Sequence, residues 1–363
     1  MRSIADKTAI SLAWICTSNS GAISAMHVAA RESVVAVHAY RQNIGIWVGK
    51  LYTVGMSKLL RNPVLITLLV ATNCAHAAQS VVLPSWVCAH PDAIFVNGFE
   101  LGSVAVPQLH SNGSGGAQPG NITRQVAVTG LGLQTYYLYV PSAYAANQAW
   151  PLIVVLHGAG GPGTSATAAQ QVRTDWGTLA DTRGFIIASP VGTNSNGGWN
   201  EPDVNGGGPS DYNIIANTIT DAEAAYNIDL TRVYGWGYSA GGEVLDDIVL
   251  TGWAGVNANS FAGYAVTGAA LAGCPTYNTV QSCVPANAAR KIPLDIHIGM
   301  ADSIYTGGYT ASDKNAFQAA GWVLNTTLFY TVFSDGSPPG GHTYSTANLA
   351  QVWSNLCPKA VTP

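Results

Sequence analysis

The amino-acid sequence predicts an α/β fold, a mostly parallel central sheet with helices on both faces, and three observations carry that expectation. After residue 122, strand-like and helix-like segments alternate to the end of the chain. The run Leu152-Ile153-Val154-Val155-Leu156 is continuously apolar, the signature of a strand buried on both faces. The alternating stretch holds about 235 residues, enough for one doubly covered sheet around one core.

In chain order, residues 124–129 and 134–140 have strand composition, and Pro141 ends the second. The buried run at 152–156 follows. Helix-like patterns then occupy 168–181, 211–226, 240–250, 313–322 and 346–356, interleaved with strand-like 185–188, 233–238, 263–269, 294–298 and 328–332. Parallel neighbours need a crossover, and each intervening helix supplies one.

The segments before this domain read differently. Residues 56–77 have the layout of a secretory signal peptide: Met56 with Lys58 and Arg61, an apolar stretch at 64–71, then Ala75-His76-Ala77 as a cleavage site that leaves Ala78 first. Because such signals open a chain, Met56 is expected to be the initiator and residues 1–55, which sustain no period, a non-native upstream extension. Residues 78–121 contain Pro84, Pro91 and Pro107 and a glycine- and serine-rich stretch from Ser111 to Gly120, the composition of a tether. The catalytic domain is expected over 122–358, in a monomeric protein secreted to an extracellular or periplasmic space.

Composition excludes several classes. With 9% charged and 48% hydrophobic residues, the chain is no disordered polyelectrolyte. From residue 78 onward it has 8 Lys/Arg against 17 Asp/Glu, a net of −9, so nucleic acid is not an expected partner. The longest apolar run, 63–71, is about half what a membrane helix requires, and no membrane partner is expected. Secretion leaves Cys88, Cys274, Cys283 and Cys357, expected as two disulfides. Cys274 with Cys283 is the favoured local pair and Cys88 with Cys357 the remainder, although four cysteines allow three pairings. No cysteine spacing fits a zinc site, and neither metal nor cofactor is expected.

The chemistry centres on Gly237-Tyr238-Ser239-Ala240-Gly241, a G-x-S-x-G motif between a strand and a helix. That context projects a serine Oγ from a strained turn, while the glycines let neighbouring backbone pass closely. Ser239 is the candidate nucleophile, with a helix N-cap as its plainer alternative. A serine needs a base, and the domain offers His157, His297 and His342. His157 ends the buried strand, and His297 alternates within the strand at 294–298. His342, in the loop Gly340-Gly341-His342-Thr343-Tyr344, remains. Of the acids between Ser239 and His342, Asp302 is favoured because it follows that strand by a short Gly299-Met300-Ala301 turn, with Asp335 in reserve. The oxyanion hole is then expected from the N–H groups of Ala240 and Ala159.

These segments resemble a family, the secreted poly(3-hydroxybutyrate) depolymerases and feruloyl or acetylxylan esterases of the α/β-hydrolase fold, over about residues 122–357. The resemblance rests on Tyr137-Leu138-Tyr139-Val140-Pro141, Pro151 to Gly158, Trp199-Asn200, Arg232-Val233-Tyr234, the serine motif with Gly242, His297 to Asp302, and Gly341-His342. It implies an α/β-hydrolase fold and a Ser-His-Asp triad acting through an acyl-enzyme. Two departures stand out. The acidic pair that members often carry after the tryptophan segment is here Asp211-Tyr212, and no polymer-binding module is expected after the domain.

The expected substrate is a polymeric or aromatic ester, because the triad segments carry aromatics and few cations. Trp199, Tyr238 and Tyr305 are the candidate substrate-binding residues, with Tyr309 beside them. A serine peptidase of the same fold, or a non-catalytic binding domain, are the competing readings.

Overall fold

A computed structural model describes residues 108–116, 119–202 and 208–361, together with the backbone of four short strands upstream. The chain divides into two units, Met1–His76 and Ala77–Pro363. In the first, strands Ser11–Ala13, Ala36–Arg41 and Trp47–Tyr52 pair antiparallel with Trp47–Tyr52 in the middle, inside the stretch expected as an upstream extension. The expected signal peptide at 56–77 lies outside the described residues.

The second unit is built on eight strands: β1 Gly120–Val128, β2 Gly132–Val140, β3 Trp150–Leu156, β4 Ile186–Pro190, β5 Ile228–Tyr238, β6 Gly263–Thr267, β7 Leu294–Gly299 and β8 Leu328–Phe333. They form one sheet in the order β8-β7-β6-β5-β3-β4-β2-β1. From β4 to β8 every pairing is parallel, whereas β2 meets both β1 and β4 antiparallel. The reason is local. Gly130 and Gly132, both at positive φ, close a tight hairpin between β1 and β2, where no helix intervenes.

Among the described residues, six α-helices flank the sheet: α1 Ser165–Arg183, α2 Asp211–Ala225, α3 Ala240–Asp247, α4 Ser303–Thr306, α5 Tyr309–Ala319 and α6 Thr346–Leu356. All seven residues of β3 are buried, and they alternate between two cores. Ile153 and Val155 pack with Val172 and Trp176 of α1 and with Val352 and Trp353 of α6. Leu152, Val154 and Leu156 face the other way, toward Ile214 and Ile215 of α2 and Val244 and Leu245 of α3. A period-2 strand between two helical layers therefore has no polar face, which is why its sequence is unbroken Leu, Ile and Val.

Element boundaries differ where a turn overrides the pattern. The helix expected to end at 250 stops at Asp247 and continues as a π-helical turn over Ile248–Gly252. The one expected at 313–322 starts earlier, at Tyr309, because Gly308 at φ 79° turns the chain into it. Ser210 and Ser345 cap α2 and α6, each accepting a hydrogen bond from a first-turn N–H. Among the described residues, no helix is long and apolar enough to cross a membrane.

The glycine- and serine-rich stretch expected as a tether is docked along part of its length. Ser111 N–H donates to Ile228 O at 2.9 Å, Ser114 N–H to Ala224 O at 3.1 Å, and His110 bridges Asp229. Gly113 lies so close to Tyr226 that any Cβ would overlap the Tyr226 backbone, so glycine serves close approach there rather than flexibility. Cys274 and Cys283 form a disulfide. Cys357 is also disulfide-bonded, and its expected partner Cys88 lies outside the described residues.

Candidate active site

Ser239 occupies the single residue between the end of β5 and the start of α3, at φ 52° and ψ −124°. A serine at positive φ costs about 1–3 kcal/mol, so the surrounding backbone must hold it there. The motif glycines do so by clearance: a Cβ on Gly237 would overlap the Gly241 carbonyl, and one on Gly241 would overlap that of Leu156. Ser239 N–H donates to Thr267 O at 2.9 Å, which ties the turn to the end of β6. The strained turn is thus locked between β3, β5 and β6.

The Ser239 Oγ lies 3.0 Å from His342 Nε2, and His342 Nδ1 lies 2.8 Å from Asp302 Oδ2. Asp302 is buried at the end of the turn after β7, and its other oxygen accepts the Ile304 N–H at 2.9 Å, capping α4. Both carboxylate oxygens are therefore committed, which fixes the plane of the imidazole. The His342 loop is held from three sides. Ala301 N–H donates to Gly340 O, Gly299 has no room for a Cβ against the carbonyls of Gly340 and Gly341, and the Tyr238 hydroxyl donates to His342 O at 2.7 Å.

The reserve acid Asp335 is engaged elsewhere. Its carboxylate accepts from Ser345 Oγ and from Asn348 Nδ2, at the N-terminus of α6. His297 is fully buried, with Nε2 3.0 Å from Asp295 Oδ2.

The oxyanion-hole candidates flank Ser239. Ala240 is the first residue of α3, so its N–H has no acceptor within the helix. Gly158 stands against the nucleophile, with room for a Cβ only 3.1 Å from Ser239 Cβ, and brings Ala159 beside it. Ala159 is exposed, and its N–H donates to no acceptor among the described residues.

Of the three substrate-binding candidates, Trp199 is buried and Tyr238 and Tyr305 are partly exposed. Trp199 is 3% exposed; its Nε1–H donates to His157 O at 2.8 Å, and its ring stacks on the His157 imidazole at 4.6 Å. It buttresses the loop after β3 from behind and offers no face to a substrate. Tyr238 supports His342 through its hydroxyl, and burial, with Asp302 nearby, pushes its phenol up to about 12, so it remains a neutral donor. Tyr305 lies half-buried in α4 beside Asp302, next to the exposed Tyr309 and Met300.

Asp211, which the sequence marks only as a departure from the family's acidic pair, organises the loop that carries Trp199. Fully buried at the start of α2, it accepts from Thr193 N–H and Oγ1 and from Asn200 N–H at 2.6–2.8 Å. Burial raises its carboxyl against those hydrogen bonds. The available signal was its position one residue after a serine cap, immediately downstream of a glycine-rich loop.

Sheet order, strained serine turn and the serine–histidine–aspartate chain together define an α/β-hydrolase fold with its nucleophile turn in place. A solved ferulic acid esterase shares this fold, with a TM-score of 0.50 and 16% identity over 67% of this chain and 99% of that one.

In sequence, the chain is similar to feruloyl, acetylxylan and polyester esterases. It is 36% identical over 106 residues to a bifunctional acetylxylan esterase/xylanase of Neocallimastix patriciarum, covering 29% of this chain and 14% of that protein. It is 29% identical over 192 residues to feruloyl esterase B of Neurospora crassa, covering 46% of this chain and 63% of that one. With poly(3-hydroxyalkanoate) depolymerase C of Paucimonas lemoignei it shares 29% over 172 residues, 46% of this chain and 36% of that one. The matches thus span less than two thirds of each relative's length. No family model matches the chain.

Proposed function

We propose that this protein is a serine carboxylic ester hydrolase with Ser239 as nucleophile, His342 as general base and acid, and Asp302 as the carboxylate that orients and stabilises the imidazolium. The observation that carries this reading is the continuous 3.0 Å and 2.8 Å contact chain from a serine at φ 52° to a buried carboxylate. Ser239 Oγ attacks the ester carbonyl carbon while its proton passes to His342 Nε2. The tetrahedral oxyanion is met by the N–H groups of Ala240 and Ala159. Collapse breaks the C–O bond, and the alcohol leaves with the proton from Nε2. Water, deprotonated by His342, then attacks the acyl-enzyme and releases the acid.

The substrate in this reading is an uncharged apolar or aromatic ester presented by a polymer, of polyester or of feruloylated or acetylated polysaccharide type. Exposed Met300 and Tyr309 with half-buried Tyr305 support it, since they offer apolar surface beside Asp302. The four Lys/Arg after Arg232 lie outside the catalytic loops, at 290, 291, 314 and 359. Secretion after cleavage at Ala77 and a monomeric state belong to the same proposal. A fluorophosphonate probe tests the chemistry: wild type labels and Ser239→Ala does not. A turnover panel of poly(3-hydroxybutyrate), methyl ferulate, acetylated xylan and p-nitrophenyl acetate ranks the esters, and failure to cleave any of them removes the esterase reading.

A further inference from the structure

The imidazole nearest the oxyanion loop does not belong to the Ser239–His342–Asp302 chain, and its hydrogen bonds are unusually constraining. His157 Nε2 lies 3.0 Å from the backbone nitrogen of Gly192, and His157 Nδ1 lies 2.9 Å from the carbonyl oxygen of Gly158. A backbone N–H can only donate, so Nε2 must be the unprotonated nitrogen. The single proton of the neutral ring is then on Nδ1, and it is donated to Gly158 O. Full burial favours that uncharged form and lowers the imidazole pKa. Tautomer and direction of donation follow from the one contact with Gly192.

The peptide joining Gly158 to Ala159 is trans, so its C=O and N–H point in opposite directions. Because the imidazole is completely buried, the carbonyl it holds points into the protein. The Ala159 N–H therefore points the opposite way, away from the buried imidazole, and it has no protein acceptor among the described residues, while Gly158 itself stands against Ser239. If this peptide rotated, a carbonyl oxygen would replace the N–H and repel a developing oxyanion. The ring itself is held by stacking on Trp199, and Trp199 Nε1–H occupies the preceding carbonyl, that of His157. Gly158 is the hinge at which a rotated peptide would be accommodated, since glycine resists no φ.

We infer that His157 is a positioning residue that holds the Gly158–Ala159 peptide in the orientation that presents the Ala159 N–H to the reaction oxyanion. This inference rests on the esterase reading of Ser239. It assigns His157 no contact with substrate. It predicts that the donor on Nδ1 matters and that the ring's aromaticity does not.

The test compares wild type, His157→Leu and His157→Asn on an activated phenyl ester and on the matching thionoester, whose developing charge falls on sulfur and gains less from hydrogen-bond donors. Loss of one oxyanion donor costs roughly 10²–10³ in kcat. His157→Leu is expected to lower kcat on the oxygen ester toward that range with KM changed less than about threefold, and to compress the ester-to-thionoester rate ratio by at least about tenfold. His157→Asn places an amide N–H near the Nδ1 position and is expected to recover most of both quantities. The rate ratio is read on protein whose melting temperature and fluorophosphonate labelling show Ser239 still folded into its site. Should His157→Leu unfold, the ratio in His157→Asn relative to His157→Ser, which is too short to reach Gly158 O, decides in its place. A wild type that cleaves the ester while every His157 variant keeps the wild-type ratio overturns this inference alone. A wild type that cleaves neither ester overturns the reading of Ser239, and this inference with it.

Discussion

Replacing Asp302 by asparagine tests the site at one atom. The Asp302 side chain is wholly buried; Oδ2 faces His342 Nδ1 at 2.8 Å, and Oδ1 accepts from Ile304 N–H at 2.9 Å. In Asp302→Asn the amide oxygen stays on Ile304, because that N–H can only donate, and asparagine caps a helix as well as aspartate does. The fold should therefore keep its stability to within about 1 kcal/mol. The amide NH₂ then faces Nδ1 and forces the ring proton onto Nε2, where it points at Ser239 Oγ and blocks proton uptake. Loss of the correct tautomer and of the carboxylate that stabilises the imidazolium is worth about 10⁴ in kcat, or about 5 kcal/mol. The assay is p-nitrophenyl acetate turnover beside a thermal melt, with Asp335→Asn as control. An Asp302→Asn turnover within tenfold of wild type, or a larger loss in Asp335→Asn, refutes Asp302 as the orienting acid.

Three further outcomes are expected. The His157 imidazole has its pKa lowered by burial, so as pH falls below about 6.5 the unfolded chain binds a proton that the folded chain refuses. Stability is then complete above that pH and declines below it, and denaturation midpoints against pH should fall less steeply in His157→Asn. Trp199→Ala should destabilise by about 3–5 kcal/mol, as for a buried aromatic, and should depress turnover of methyl ferulate and p-nitrophenyl acetate alike, because Trp199 supports the loop behind the site; a loss confined to the larger ester contradicts this. The Cys274–Cys283 bridge closes a sequence separation of 9, worth about 2–3 kcal/mol in the chain-entropy model, so Cys274→Ser with Cys283→Ser should lower the melting temperature while leaving a cooperative transition.

The sheet was legible because buried parallel strands permit so little: Ile153 and Val155 on one core and Leu152 and Val154 on the other leave no position for a polar residue. That Ser239, His342 and Asp302 would lie together was legible because the motif supplies a steric context and the domain contains few histidines. What composition did not reveal was direction. Trp199 in a glycine-rich loop reads as a surface aromatic, yet Asp211 ties down Thr193 and Asn200 of that loop and the buried ring stacks on His157. His157 likewise reads as the end of a strand, because the groups that define its role, Gly192 N–H and Gly158 O, are backbone atoms that no side-chain pattern encodes.

The docked strap ahead of β1 moves the edge of the folding unit. Judged by sequence the domain begins at 122, but Ser111 and Ser114 donate to the carbonyls of Ile228 and Ala224, and Val81–Val82 pairs antiparallel with Lys359–Ala360 beyond α6. A chain trimmed to Ile122 would keep every residue of the serine, histidine and aspartate set. It would also strip the backbone partners from the start of β5, the strand whose far end carries Ser239, and leave Lys359–Ala360 without its pairing strand. A shortened chain of that kind inherits a sticky flank on the strand that delivers Ser239, so truncation is a question of aggregation before it is one of activity.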